Sequence, residues 1–219
     1  MLKLRAAVLA PYPYWLLILA IGMGPMILAV TISRDLMILV GICTMLLKIF
    51  IFGRILSQIL PDRVSSFWAI LKEYGGHYWV AAILVGLITL AFRMVISGDV
   101  SVRSPYGLAN GVARAIVAAA TIYVWPLVFL KRSSVEGILA GVSVLIGNFR
   151  SSLWIIGIAL VGEAVLMAGQ LLYWEHRSGL GFAILLIARV VYIYLAAVTF
   201  AAALYRLLGV RIVEPTAEA

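Results

Sequence analysis

LWIIGIALVGEAVLMAGQLLY, residues 153–173, runs for twenty-one residues with a single charged member, Glu163. A helix of about 20 apolar residues is what crosses about 30 Å of hydrocarbon, so the stretch reads as a membrane span rather than a soluble core helix. Five more runs share its character, at about 15–32, 36–52, 79–96, 115–130 and 181–207. Together they explain why 65% of the 219 residues are hydrophobic and only 12% charged, with a mean hydropathy of +1.14. A soluble domain carries about 25% charged residues, so that class is excluded, and disordered and collagen-like chains fall with it. One cysteine, Cys43, leaves no disulfide scaffold. The expected fold class is all-α: a polytopic integral membrane bundle of six transmembrane helices, in one domain over 1–219, with two cytoplasmic interfacial amphipathic helices at about 62–74 and 133–148.

Six spans place both termini on one side, and the distribution of Lys and Arg chooses that side, because cytoplasmic loops hold the excess. Lys3, Arg5, Arg54, Arg63, Lys72, Lys131, Arg132, Arg150, Arg206 and Arg211 fall on the terminus side, against Arg34, Arg103, Arg114 and Arg177 on the other. Both termini are expected in the cytoplasm of a bacterial or archaeal cell, with the chain multi-pass in its cytoplasmic (inner) membrane. The net charge of +8 is then mainly a topology signal and an attraction to anionic headgroups, which makes membrane lipids the first expected partners and nucleic acid none. The apolar run after Lys3 and Arg5 exceeds a signal-peptide core and reads as an uncleaved first helix. Trp15, Trp68, Trp79 and Trp154 mark the inner boundary and Tyr173 with Trp174 the outer one.

PDRVSSFWAILKEYGG, residues 61–76, sets Val64, Phe67, Trp68, Leu71 and Tyr74 on one helical face and Arg63, Ser65, Ser66, Lys72 and Glu73 on the other. An apolar stripe beside basic residues is the pattern of a helix lying in the membrane interface, here ended by Gly75 and Gly76. A second such helix begins at a capping box, Ser133 with Glu136, and runs to about Asn148. Both serve either as struts packed on the bundle or as a docking face or gate. Each leads into a Trp-initiated run, WVAAILVG from Trp79 and WIIGIALVG from Trp154, which suggests parallel repeats of the kind transporters use.

The stretch from Pro126 to Val161, with KRSSVEGILAGVSVLIGNFRSSLWIIGIALV, resembles the fifth-helix region of six-span bacterial and archaeal proteins related to the membrane domain of glycerophosphodiester phosphodiesterases. In that group a short apolar helix ending in a Gly-Asn-Phe segment precedes a span, as Val142 to Phe149 does here, and Tyr205-Arg206 matches a Tyr-Arg near the end of the last span. The similarity covers about a third of the chain. It implies a six-helix membrane fold and brings no catalytic residues, because the chemistry of the phosphodiesterases resides in a separate soluble domain.

Ionisable residues inside spans cost about 2.5–3.5 kcal/mol each on insertion scales and therefore point to a partner or a water pocket. Lys48, Glu163 and Arg189 lie deep in their runs, while Arg93 sits near the outer end and is expected to snorkel outward. Glu163 and Arg189, on adjacent antiparallel spans, are expected to pair, with Lys48 joining them and Gln170 two turns from Glu163 on the same face. The cluster either fixes span register or lines a solute or proton pathway. The first is favoured at this stage, since a pathway usually recruits more polar residues than Thr44, Thr89, Thr121, Tyr192 and Thr199.

His77 and His176 fall at opposite surfaces and no His or Cys cluster has ligand spacing, so neither a metal nor a cofactor is expected. Phosphate loops, dinucleotide fingerprints and zinc-hydrolase motifs are also missing, and Gly22, Gly24, Gly137 and Gly141 read as helix contacts. The expected function is a non-enzymatic accessory or assembly subunit of a larger membrane complex, with other membrane subunits or a second copy as partner. The alternative is a transporter component or carrier for a small or lipid-like solute.

Overall fold

The computed structural model describes residues 2–31, 34–61, 63, 66–97, 108–176 and 179–209. Among them every regular element is helical: α1 (Leu2–Leu9), α2 (Trp15–Thr31), α3 (Arg34–Ile59), α4 (Phe67–Ser97), α5 (Leu108–Ala120), α6 (Val124–Lys131), α7 (Ser134–Gly147), α8 (Phe149–His176) and α9 (Gly179–Leu208). Five apolar stretches are long enough to cross a membrane: Leu4–Leu28, Ile38–Ile59, Phe67–Ile96, Phe149–Trp174 and Gly179–Leu208. Two shorter apolar helices, Asn110–Ala120 and Val124–Lys131, meet at 47° and make a sixth, broken crossing when the pair is counted as one span. The multi-pass all-α architecture expected from the apolar runs is therefore present, with the first crossing starting earlier, in α1, and passing through a 3-10 turn at Tyr12–Tyr14.

Helices α4 and α9, of 31 and 30 residues, extend about 45 Å at 1.5 Å per residue and so outreach the hydrocarbon at both ends or tilt within it. Counted as six crossings, the chain has the start of α1 and the end of α9 on one face, here called the near face, and the end of α4 and start of α5 on the far face. The helix α9 is the hub, packing on α8, α2, α1, α3 and α6. Its last turns, Ala197 to Leu204, are buried on every side, which Ala-rich sequence allows because small side chains let neighbouring backbones approach. Beside them Phe52 stacks on Phe200 with ring centroids 4.5 Å apart, and Phe129 meets both rings edge-on.

Two expectations are corrected here. The segment 62–74 is not a separate interfacial helix: from Phe67 the chain runs without a break through Gly75 and Gly76 to Ser97. Two glycines cost about 1 kcal/mol each against alanine, and the packed stripe Ile70, Tyr74, Tyr78, Ala81, Val85 continues across them at helical spacing and outweighs that cost. Trp79 consequently lies twelve residues inside α4 instead of opening it, so the proposed parallel repeat loses its first copy. The second short helix does form where expected, with Ser133 Oγ accepting from the Glu136 N–H at 3.4 Å. Its large exposed residues, Val135, Leu139, Val142 and Ile146, are apolar and stand beside the exposed Glu136 and Ser143, so α7 presents a mostly apolar face with no basic residue.

Helices α6 and α7 form a tight antiparallel hairpin. A Cβ placed on Gly137 would lie 2.8 Å from the Val128 backbone, and one on Gly141 2.7 Å from the Val124 Cα, so only glycine permits this crossing. The hairpin turns at Arg132, whose φ of 52° is left-handed. It is held on α4 by Ser134 Oγ donating to the His77 carbonyl at 3.0 Å and by Arg132 Nη2 at 2.6 Å from Glu73 Oε1. Arg63 stands 3.8 Å from the same carboxylate oxygen.

Candidate functional site

The centre of the bundle is polar. Glu163, on α8 and 4% exposed, is thirteen to fourteen residues from either end of its helix, about 20 Å along the axis from each. The cation at its carboxylate is Arg114, with Nε 3.2 Å from Oε2. Arg114 Nη2 also donates to Gln170 Oε1 at 3.3 Å, so one guanidinium bridges two residues of α8 seven apart. Tyr192, from α9, lines the same cavities as Glu163.

The pair expected between Glu163 and Arg189 is thereby corrected. Arg114 lies inside α5 and turns toward α8, where a reading of apolar runs had left it in the preceding loop. Close helix contacts make this possible: Gly111 packs directly against Met167, and Gly169 approaches Ala188 so nearly that an added Cβ would lie 2.5 Å from that side chain. Those two glycines draw α5 and α9 onto α8 at the level of the charges.

Three cavities converge on these residues, and Tyr192 lines them all. The first, of about 200 Å³, reaches the near side past Phe52, Tyr78 and Phe200 and includes Lys48 and Glu163. A second, of about 420 Å³, opens toward the far side between α4 and α5 and takes in Arg93, Asn110, Arg114 and Glu163. The third, of about 190 Å³, brings Lys48, Arg114, Gln170 and Arg189 together. Lys48, Glu163 and Arg189 are thus in one neighbourhood: Lys48 feels the attraction of Glu163 and the repulsion of Arg189.

The first two cavities meet at the break between α5 and α6. Residues Thr121, Ile122 and Tyr123 are all buried there, and irregular backbone at membrane depth is tolerated where it faces protein or a polar space. Thr121 and Ile122 line the first cavity, while the Tyr123 hydroxyl is anchored on Ser152 Oγ at 2.7 Å. Thr44, Thr89, Thr121 and Thr199 each donate to the carbonyl four residues back, at 2.7–2.8 Å, so their hydroxyl protons are spent within their own helices. Their oxygens remain as acceptors on the cavity walls.

Among the described residues, Lys48, Arg114 and Arg189 line the cavities with the Glu163 carboxylate, and Arg93 lines the far-side cavity. The Glu163–Arg114 contact is imperfect: Oε2 and Nε are both buried and neither completes a hydrogen bond, because the N–H points off the line between them. In a low-dielectric interior such groups call for a further polar partner.

The remaining expected site residues are elsewhere. Phe67, Leu71 and Tyr74 belong to α4 and turn toward the bundle, Tyr74 fully buried against Phe129, while Trp68 is 77% exposed. Val64 lies outside the described residues. The stripe is therefore chiefly packing. Among the described residues no group of three or more His, Cys, Asp or Glu is placed to hold a metal ion.

No protein-family model, curated protein or solved structure matches this chain. The resemblance to the membrane domain of glycerophosphodiester phosphodiesterases rests on the residues quoted for it alone.

Proposed function

We propose that the protein is a non-enzymatic carrier, or the membrane component of one, that passes a small polar solute through the middle of the bundle. The observation that carries this reading is the run of cavities meeting at Tyr192, with Glu163 and Arg114 at mid-depth and a broken span beside them. Broken helices flanking a midplane polar site are how many membrane carriers expose backbone and charge to a solute. The polar set is also larger than the isolated runs suggest, since Arg114 and Asn110 join the residues already named. The membrane is taken to be a bacterial or archaeal cytoplasmic membrane with both termini inside, from the Lys and Arg asymmetry. Purified protein in liposomes is expected to release trapped small carboxylates or phosphate, and Glu163→Gln to reduce that release severalfold. Liposomes that leak neither solute faster than protein-free controls sink the reading.

A second reading, an accessory or assembly subunit, draws support from α4. Only 6% of its most apolar window is buried, against 28–39% for the other long spans, and Val80, Ile83, Leu87 and Val95 point outward. Lipid suits that face equally well. Extraction of a tagged copy in mild detergent, followed by mass spectrometry, separates the two: a stoichiometric companion favours the subunit, and a lone chain favours the carrier.

A further inference from the structure

We propose that Glu163 is a proton-binding site shared by the near-side and far-side cavities, and that the carrier couples the movement of its solute to a proton taken up there. The coupling rests on the carrier reading, whereas protonation of Glu163 is measured without transport.

The two cavities lie end to end along the bundle. On α4 the first touches Tyr78 and the second Thr89 and Arg93; on the broken crossing the first reaches Ile122 and the second Asn110; on α9 the first extends to Phe200 and the second stops at Tyr192. Each of these helices thus carries the first cavity toward the near face and the second toward the far face. The wall between them is made by the residues that line both: Ala118, Thr121, Trp125, Glu163 and Tyr192. In that wall Glu163 is the group able to gain a proton, since a tyrosine hydroxyl already carries its own and gives it up only in alkali. Cavities of about 200 and about 420 Å³ each hold several waters, so both sides of the carboxylate have room for a proton donor or acceptor. A hydronium in one cavity gives its proton to the carboxylate, leaving a neutral water and a neutral acid; release to water in the other cavity reverses both changes. The receiving atom is Oε2, which is buried and accepts no hydrogen bond.

The cations nearest the carboxylate are Arg114 of α5, at 3.2 Å, and Lys48 of α3, within electrostatic reach. Tyr192 of α9 and Tyr78 and Arg93 of α4 stand on the cavity walls, and Arg189 of α9 faces Lys48 across the third cavity. Arg114 and a proton compete for one carboxylate, so proton uptake and loss of the ion pair are a single equilibrium. Arg114 then keeps Gln170, 3.3 Å away and seven residues farther along α8, and α5, which carries it, ends at the break before α6. The wall between the cavities therefore has one arrangement for the charged carboxylate and another for the neutral one. A pair that only fixes helix register stays ionised wherever the protein is folded.

The first measurement is infrared difference spectroscopy of the full-length protein in detergent, neutral against mildly acidic buffer. A band from a protonated, desolvated carboxyl is expected in the wild-type protein, lost in Glu163→Gln and moved in frequency in Glu163→Asp, which keeps a charge for Arg114. Absence of the band from the wild-type protein overturns the proton site, as does a band that both substitutions leave unchanged. The second measurement uses liposomes with the membrane potential clamped by potassium and valinomycin, and labelled phosphate or labelled succinate as solute. An inward gradient of one pH unit is equivalent to about tenfold accumulation per proton, and accumulation of that order over protein-free liposomes is expected in the wild-type protein and in Glu163→Asp but not in Glu163→Gln. Exchange of label between equal concentrations on the two sides needs no net proton release; it is expected to survive in Glu163→Gln and shows that this variant is folded. Wild-type uptake indifferent to the gradient, or accumulation that Glu163→Gln leaves intact, overturns the coupling and leaves the carrier. Loss of exchange and accumulation in both Glu163 variants makes the residue structural and also overturns it. The infrared band without transport of either solute removes the carrier and the coupling together and leaves the proton site standing.

Discussion

Exchange of Arg114 for methionine leaves Glu163 in the bundle without its guanidinium, and the cost follows from the geometry. At 3.2 Å and an effective dielectric of about 20, the pair attracts by about 5 kcal/mol before desolvation is counted. Removing one member of a buried pair typically costs about 3–5 kcal/mol, because the other charge stays behind. Arg114 retains 24% side-chain exposure to its cavity, and Lys48 remains in electrostatic reach of the carboxylate, so the lower end applies. We expect Arg114→Met and Glu163→Gln each to destabilise by about 2–3 kcal/mol, and the double variant by no more than either alone, a coupling of about 2 kcal/mol. The assay is unfolding of the purified protein in mixed micelles by added dodecyl sulfate, followed by tryptophan fluorescence, to which Trp125 on the cavity walls contributes with the other five tryptophans. The cycle of Glu163→Gln with Arg189→Met is the internal comparison and is expected to couple by less than about 1 kcal/mol. Additive single changes in the Arg114 cycle, or stronger coupling to Arg189, refute the assignment of the pair.

Three further outcomes test the frame around it. Gly141→Ala forces a Cβ to within 2.7 Å of the Val124 backbone and is expected to cost about 1–3 kcal/mol, while Gly24→Ala, with nothing within 4 Å, is neutral or stabilising; unfolding midpoints of the two variants check this. Gly76→Ala in the continuous helix α4 is expected to stabilise by about 0.5–1 kcal/mol, whereas a helix end at that point predicts no gain. At the left-handed Arg132, substitution by Gly and by Ala both remove the Glu73 contact, but Ala is expected to unfold about 1 kcal/mol more easily, since glycine alone adopts that conformation freely.

The spans were legible because lipid demands long apolar runs, and the core of each survives in the structure. Their ends were not. Gly75-Gly76 looks like a stop, yet the buried stripe from Ile70 to Val85 crosses it in register, a periodic signal stronger than the two glycines. Arg114 was placed outside its span because a charge ordinarily marks a boundary; here the boundary falls earlier, and the residue is held by α8, which no local pattern announces. One sign was available, since Gly111, Arg114, Ala118 and Thr121 share a helical face of small and polar side chains, unlike a lipid-facing surface. The depth of Glu163 and its relation to Gln170 were readable from spacing alone. Which cation served them depended on the approach of three helices.

The broken crossing also bears on how the chain enters the bilayer. With 13 and 8 residues, α5 and α6 are each too short to span it alone, and α5 carries a guanidinium whose counter-charge is synthesised forty-nine residues later. Until α8 emerges, Arg114 lacks the carboxylate that it meets in the folded bundle, so α5 is expected to enter the hydrocarbon only with α8. Membrane integration of the second half is then expected to be a joint event of α5 and α8, and a nascent chain truncated before Glu163 should leave α5 accessible to water.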